Sequence, residues 1–275
     1  MNFQQEKYLP DAEKRIARLQ KIVAGRPIAI LAAGPSICEL EHRIEELRDA
    51  DICYFGLNSY TVQETYILQQ INKQFSVIMC SSREGVPKTM SDIINFLNRD
   101  EDNAFISSFW RDTFQLLLDT GFDIQQFFDD YNKKLVFFNL TFGRTVPTTN
   151  DPLHFIVSNS LLVLMQMAII GKASSIVLFG ADGGFKEGAK ECYYRQEDLG
   201  HRGSIDGKIK VGPVETLAGD TNTYFNPIAL IALTNLYSAY GFTPIKILNC
   251  SKDSLYTVFP IVSYDTAFEH LLGGV

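Results

Sequence analysis

The sequence predicts an α/β fold, a doubly wound and mostly parallel sheet with helices on its faces. Three observations predict it. Short continuous apolar runs such as Ile28–Ala33 read as strands buried on both sides. Stretches with apolar residues at helical spacing lie between them. Glycine punctuates the ends of these runs, as Gly34 does after the first and Gly180 after Ile176–Phe179. Strands that alternate with helices build a parallel sheet through crossover connections.

The elements follow in order. Asp11–Ala24 reads as an amphipathic helix, with Ile16, Leu19, Ile22 and Val23 on one face, ended by Gly25. Ile28–Ala33 is the first strand, Gly34-Pro35-Ser36 a turn, and Ile37–Leu47 a helix. Ile52–Leu57 and Val77–Cys80 are further strands. From about 81 to 132 the apolar positions, such as Ile93, Ile94, Phe96 and Leu97, keep helical spacing, so a helical insertion is expected there. Leu135–Asn139 is a strand and Thr141–Pro152 a polar loop. A helix from about Ser160 to Ile170 is capped by Gly171. The strand Ile176–Phe179 runs into Gly180-Ala181-Asp182-Gly183-Gly184. A polar, glycine-rich lid loop is expected over about 185–219, then a helix Pro227–Tyr240, a strand Ile245–Leu248 and a C-terminal helix. The whole, 1–275, reads as one Rossmann-like nucleotide-binding domain.

Charge and cysteine usage narrow the partners. With 25 Lys and Arg against 32 Asp and Glu, the net charge is −7. That argues against duplex nucleic acid and against docking on anionic lipid. Cys38, Cys53, Cys80, Cys192 and Cys250 form no metal or redox spacing and read as free thiols in a reducing compartment. Met1–Arg15 lacks the apolar core of a signal peptide, and Leu161–Ile170 is too short to span a bilayer, so a cytoplasmic protein is expected. Oligomeric state is left open.

Standard nucleotide signatures are missing. Gly171-Lys172 has no upstream glycine loop, and no G-x-G-x-x-G occurs. Asp49-Ala50-Asp51 imitates a metal-binding D-x-D but precedes its strand, where a solvated turn fits better. The four histidines have no metal-ligand spacing.

Four segments can carry chemistry. Gly34, Pro35 and Ser36 follow the first strand, where glycine admits close backbone approach and free N–H groups face an anion; a plain strand-to-helix turn fits equally. Ser158, Asn159 and Ser160 open a helix, either as ordinary caps or as phosphate donors. Asp182 ends a buried strand at the edge where such folds bind ligands; it could hold a ribose, a magnesium ion or a substrate hydroxyl, or cap its turn. The loop after it carries Tyr193, Tyr194, Arg195, His201 and Arg202, donors suited to phosphate oxygens, unless it is a simple solvated loop.

Taken in order, these pieces resemble the bacterial sialyltransferases that use CMP-sialic acid. They are equally similar to the broader family of motility-accessory-factor glycosyltransferases and 6-hydroxymethylpterin diphosphokinases. The stretches that carry the resemblance are Ile28–Ile37, Ile52–Tyr60, Ser158–Phe185 and Leu248–Pro260. It implies a nucleotide pocket from Gly34, Pro35, Ser36 and Asn58, with Ser158, Asn159 and Ser160 near the phosphates. It also implies that Tyr193 or Tyr194, helped by Arg195, stabilises the leaving phosphate. Ala33 stands where those enzymes carry asparagine. Thr221, Asn222 and Thr223 stand where their catalytic histidine lies, so His201 or Asp182 is the candidate base. The expected ligand is a nucleotide-sugar, CMP-linked, with transfer to an unknown acceptor. The alternatives are ATP with magnesium, in which Asp182 would hold the metal, and a non-catalytic nucleotide-binding module.

Overall fold

The structure, a computed structural model, describes residues 12–32, 34–57, 65–80, 93–99, 102–108, 123–141, 154–156, 159–183 and 225–273. Among the described residues eight strands lie in the order β6-β5-β4-β3-β2-β1-β7-β8. They are β1 (Ile28–Leu31), β2 (Cys53–Leu57), β3 (Val77–Cys80), β4 (Ala104–Ser108), β5 (Leu135–Thr141), β6 (His154–Ile156), β7 (Ser175–Phe179) and β8 (Lys246–Asn249). All their pairings are parallel. The α/β fold class expected from the sequence is therefore the one observed. β5 divides its length, pairing Leu135–Phe138 with β4 and Asn139–Thr141 with β6.

Period-two alternation sorts the strand residues between two cores. Ala29, Leu31, Tyr54, Ile78, Phe105, Val177, Phe179 and Leu248 face one side. There they meet α2 (Cys38–Arg43), α3 (Thr65–Gln69), helical residues 93–97, α4 (Ile124–Tyr131) and, far along the chain, Tyr264 to Leu271. Ile28, Ile30, Cys53, Phe55, Val77, Met79, Ile176 and Leu178 face the other. They meet α1 (Ala12–Val23), α5 (Ser160–Ile170) and α6 (Phe225–Tyr240). The last helix, α7, is Tyr264–Leu271. Both faces being covered explains why the strands are apolar runs rather than alternating ones.

α5 is buried at every position from Leu161 to Ile170, clasped between the sheet, α1 and α6. Its one polar residue in that span, Gln166, donates from Nε2 to the Leu162 carbonyl at 3.2 Å, and a helix otherwise apolar all round has no solvated face to keep. α1 is tied down by Arg15, whose guanidinium donates to Asn132 and to the Leu135 carbonyl.

Several elements differ from the sequence expectation. Ala104–Ser108, inside the stretch read as helical insertion, is a strand between β3 and β5. Five residues are too few for their apolar spacing to separate strand from helix. Ile37–Leu47 is not one helix. Two 3₁₀ turns, Pro35–Ile37 and Ile44–Leu47, flank α2, and Arg43 sits at the second junction with φ −118° and ψ 0°. β6 begins just after the expected polar loop. α6 starts at Phe225, two residues before Pro227, which sits in its first turn where its missing N–H costs nothing. Gly171 caps α5 without a left-handed backbone; Lys172 takes that conformation at φ 65°. A Cβ at Gly171 would lie 2.8 Å from Val23 Cγ2, so close helix packing requires the glycine. Cys38 is exposed, whereas Cys53 and Cys250 are the buried thiols expected.

Candidate functional site

The order of the strands fixes where a ligand can sit. From β1 the chain winds outward through β2 and β3 to β6, and α5 then returns it to β7 on the other side of β1. The carboxyl ends of β1 and β7 therefore flank the switch point, the crevice open α/β sheets use for ligands. The turn after β1 carries Gly34 and Ser36, and the turn after β7 carries Gly180 and Asp182.

These two turns are locked together. Ala32 N–H donates to the Phe179 carbonyl at 2.8 Å and Gly34 N–H to the Gly180 carbonyl at 2.9 Å. A Cβ at Gly34 would lie 1.9 Å from Asp182 Oδ2 and 2.4 Å from the Gly180 carbonyl oxygen. Gly180 adopts φ +68°, and its Cβ would lie 2.2 Å from the Ala32 carbonyl oxygen. Gly34 is thus required by the contact between the turns. The space beside it, expected for a ligand, is filled by the Asp182 carboxylate.

Asp182 is half-buried, and its carboxylate accepts from the side chain and backbone of Ser36 and from its own N–H. Ser36 Oγ donates to Oδ2 at 2.9 Å, and the Ser36 N–H points at the same oxygen from 3.4 Å. The Ser251 hydroxyl, at 2.8 Å from Ser36 Oγ, extends the chain of hydroxyls into the buried end of β8. Burial holds the Asp182 carboxyl above its ordinary range, and the Ser36 hydrogen bonds pull the other way. The negative charge of Asp253 adds to the upward shift. Tyr264 OH donates to the Ser36 carbonyl at 3.0 Å, so α7 holds the first turn from behind.

The segment after β8 completes the wall. Asn249 Nδ2 and Ser254 Oγ both donate to the Ala181 carbonyl, at 3.3 Å and 2.6 Å. Leu255 N–H donates to the Asp182 carbonyl at 2.8 Å. The ring of Tyr256 covers Gly183, whose Cβ would lie 2.8 Å from it, and stacks on Phe225 with centroids 4.0 Å apart. Asn159 links this wall to α5. Its Oδ1 caps the helix at Leu162 N–H, 3.0 Å away, and its Nδ2 donates to Tyr256 OH at 2.9 Å. Burial drives the Tyr256 hydroxyl strongly upward, with the Asn159 bond opposing it.

The structure brings Gly34, Ser36, Asn159 and Asp182 into one connected cluster, with the backbone of Pro35 in the same turn. Ser160 begins α5 beside Asn159. Asn58, Ser158, Tyr193, Tyr194, Arg195 and His201 lie outside the described residues, as does the expected lid at 185–219. Ser251, Ser254 and Tyr256 are the site residues that the sequence reading left without a role. The signal was a polar run, Ser251 to Thr257, directly after an apolar strand. Asp51, at the end of the D-x-D imitation, is an exposed turn residue paired with Arg26 at 3.1 Å. Among the described residues no group of three or more His, Cys, Asp or Glu is gathered to hold a metal, and no helix is long and apolar enough to cross a membrane.

No family model matches the chain, and no curated protein matches it. Among solved structures it is similar to the sialyltransferase CstII of Campylobacter jejuni in complex with a substrate analogue, cytidine-5'-monophosphate. Identity is 14%, coverage 86% of this chain and 85% of that one, and the TM-score 0.44. It is also similar to the monofunctional α-2,3-sialyltransferase Cst-I of Campylobacter jejuni, at 15% identity over 86% of this chain and 80% of that one, with a TM-score of 0.43. The likeness is one of architecture, and no residue role follows from it.

Proposed function

We propose that the chain is a transferase that takes a sugar from a nucleotide-linked donor, CMP-linked in the first instance, and passes it to an acceptor hydroxyl. The observation that carries this reading is the half-buried Asp182–Ser36–Ser251 cluster at the switch point of a parallel sheet. The motifs that lead into that cluster are those that resemble the CMP-dependent enzymes, which supports the choice of donor.

Such a reaction needs fixed donors for the leaving phosphate and a base for the acceptor hydroxyl. In this reading Tyr193, Tyr194 and Arg195 serve the phosphate, and His201 or Asp182 takes the proton. Asn159 and Ser160, at the positive end of an eleven-residue helix, stand where a phosphate is favoured.

A thermal-shift screen tests the proposal. CMP or a CMP-sugar should raise the melting temperature at concentrations well above Kd, since a ligand that binds only the folded state adds about 2.7 kcal/mol at a hundredfold excess. Stabilisation by ATP with magnesium but by no nucleotide-sugar would favour phosphoryl transfer. Stabilisation by none of them would reject nucleotide binding.

A further inference from the structure

The donors of the first turn are already occupied. Both the Ser36 N–H and the Ser36 hydroxyl point at Asp182 Oδ2. A phosphate at this turn would have to displace that oxygen and then sit beside the carboxylate it displaced. Like charges held in a half-buried site repel strongly. The glycine that would let a phosphate approach is itself packed against Asp182 and the Gly180 carbonyl.

What the turn offers instead is an acceptor. Among the described residues the donors to the Asp182 carboxylate are Ser36, whose bonds both go to Oδ2, and the Asp182 N–H itself, which leaves the carboxylate room to accept from a ligand. An ionised carboxylate accepts and cannot donate. Its complement is a group rich in O–H donors, and the nucleotide-linked donor proposed above carries one such group close to its phosphate, the ribose diol.

We propose that the turn after β1 and Asp182 together select the ribose hydroxyls of the donor and exclude its phosphate. The inference rests on the transferase reading and fixes the direction in which the donor lies. The ribose sits between β1 and β7, and the phosphate is left to the amino end of α5, where Asn159 is tied to Tyr256.

Titration calorimetry on the full chain tests this with three ligands: cytidine, 2',3'-dideoxycytidine and CMP. Removing the two hydroxyls should weaken binding to the wild type by about tenfold or more, the scale of a hydrogen bond to a charged group. Asp182→Asn and Asp182→Ala, checked for folding by circular dichroism, should weaken cytidine and CMP by the same factor. The ratio of CMP to cytidine affinity then stays within about twofold of the wild type. The wild-type comparison of cytidine with its dideoxy form stands even if both variants misfold. Equal affinity for the two nucleosides overturns the inference and leaves the transferase reading in place. So does an Asp182→Asn variant that binds CMP more tightly relative to cytidine, since that result reveals a phosphate subsite blocked by the carboxylate. If none of CMP, UMP and AMP binds the wild type, the transferase reading fails and this inference fails with it.

Discussion

Replacing Gly34 by alanine should destabilise the protein by about 2–4 kcal/mol. The added methyl group has nowhere to go. At its ideal position it lies 1.9 Å from Asp182 Oδ2 and 2.4 Å from the Gly180 carbonyl oxygen. The carboxylate can swing aside, but only by giving up its bond from Ser36. The carbonyl is backbone and cannot. Relieving that contact means separating the two turns, which breaks the 2.9 Å bond from Gly34 N–H to Gly180. Overpacking of this kind costs about 1–3 kcal/mol, and a lost hydrogen bond about 0.5–1.5 kcal/mol. For a chain of this size the sum corresponds to a fall in melting temperature of about 5–15 °C. Urea denaturation followed by circular dichroism reads the free energy directly, and a double-mutant cycle with Asp182→Gly separates the two contacts. The double variant should recover the side-chain part of the loss and keep the part due to Gly180. A Gly34→Ala protein within 0.5 kcal/mol of the wild type, roughly the noise of surface substitutions, would mean the turns are not packed as described.

Other expectations follow from the same wall. Asp182→Asn should change stability with pH in a defined sense. Because burial raises the carboxyl in the folded state, its stabilising contribution is complete below about pH 4 and is lost as pH rises through the raised value. The variant, which cannot ionise, should gain in melting temperature relative to the wild type as pH rises from about 4 to about 7, and a difference that does not change with pH over that range would refute the reasoning. Asn159→Ala removes the cap of α5 and should cost about 1 kcal/mol in chemical denaturation. Thiol labelling mapped by peptide should find Cys38 reactive in the native protein. Cys53 and Cys250 should be silent until it unfolds, since burial pushes them up to about 11 and about 12.

How much of this was legible in the sequence depends on the element. The strands buried on both faces were, because continuous runs such as Ile28–Leu31 and Ser175–Phe179 have few other uses. α5 was found from its length and its polar start. β4 was not, since its five residues follow a stretch whose helical spacing is real at 93–97. In the site, Asp182 and Ser36 were visible as polar residues at strand ends. Their bond to one another was not, because no local pattern links positions so far apart in the chain. The same distance hid Tyr256, whose importance comes from covering Gly183 rather than from any motif of its own. Gly34 stood out in the sequence as a place for a ligand to approach or for a plain turn, and the groups that crowd it are the protein's own Asp182 carboxylate and Gly180 carbonyl.

The strand order also bears on how the molecule is made. Ile28 is paired with Cys53 on one side and with Ile176 on the other. During synthesis the first edge of β1 is covered early, whereas the second stays open until β7 has left the ribosome. At about 5–20 residues per second that wait is roughly 7–30 seconds. Throughout it an apolar strand presents unpaired N–H and C=O groups, the feature that invites pairing with another chain. A polypeptide truncated before residue 175 should therefore aggregate or occupy chaperones, even though most of its strands are already present.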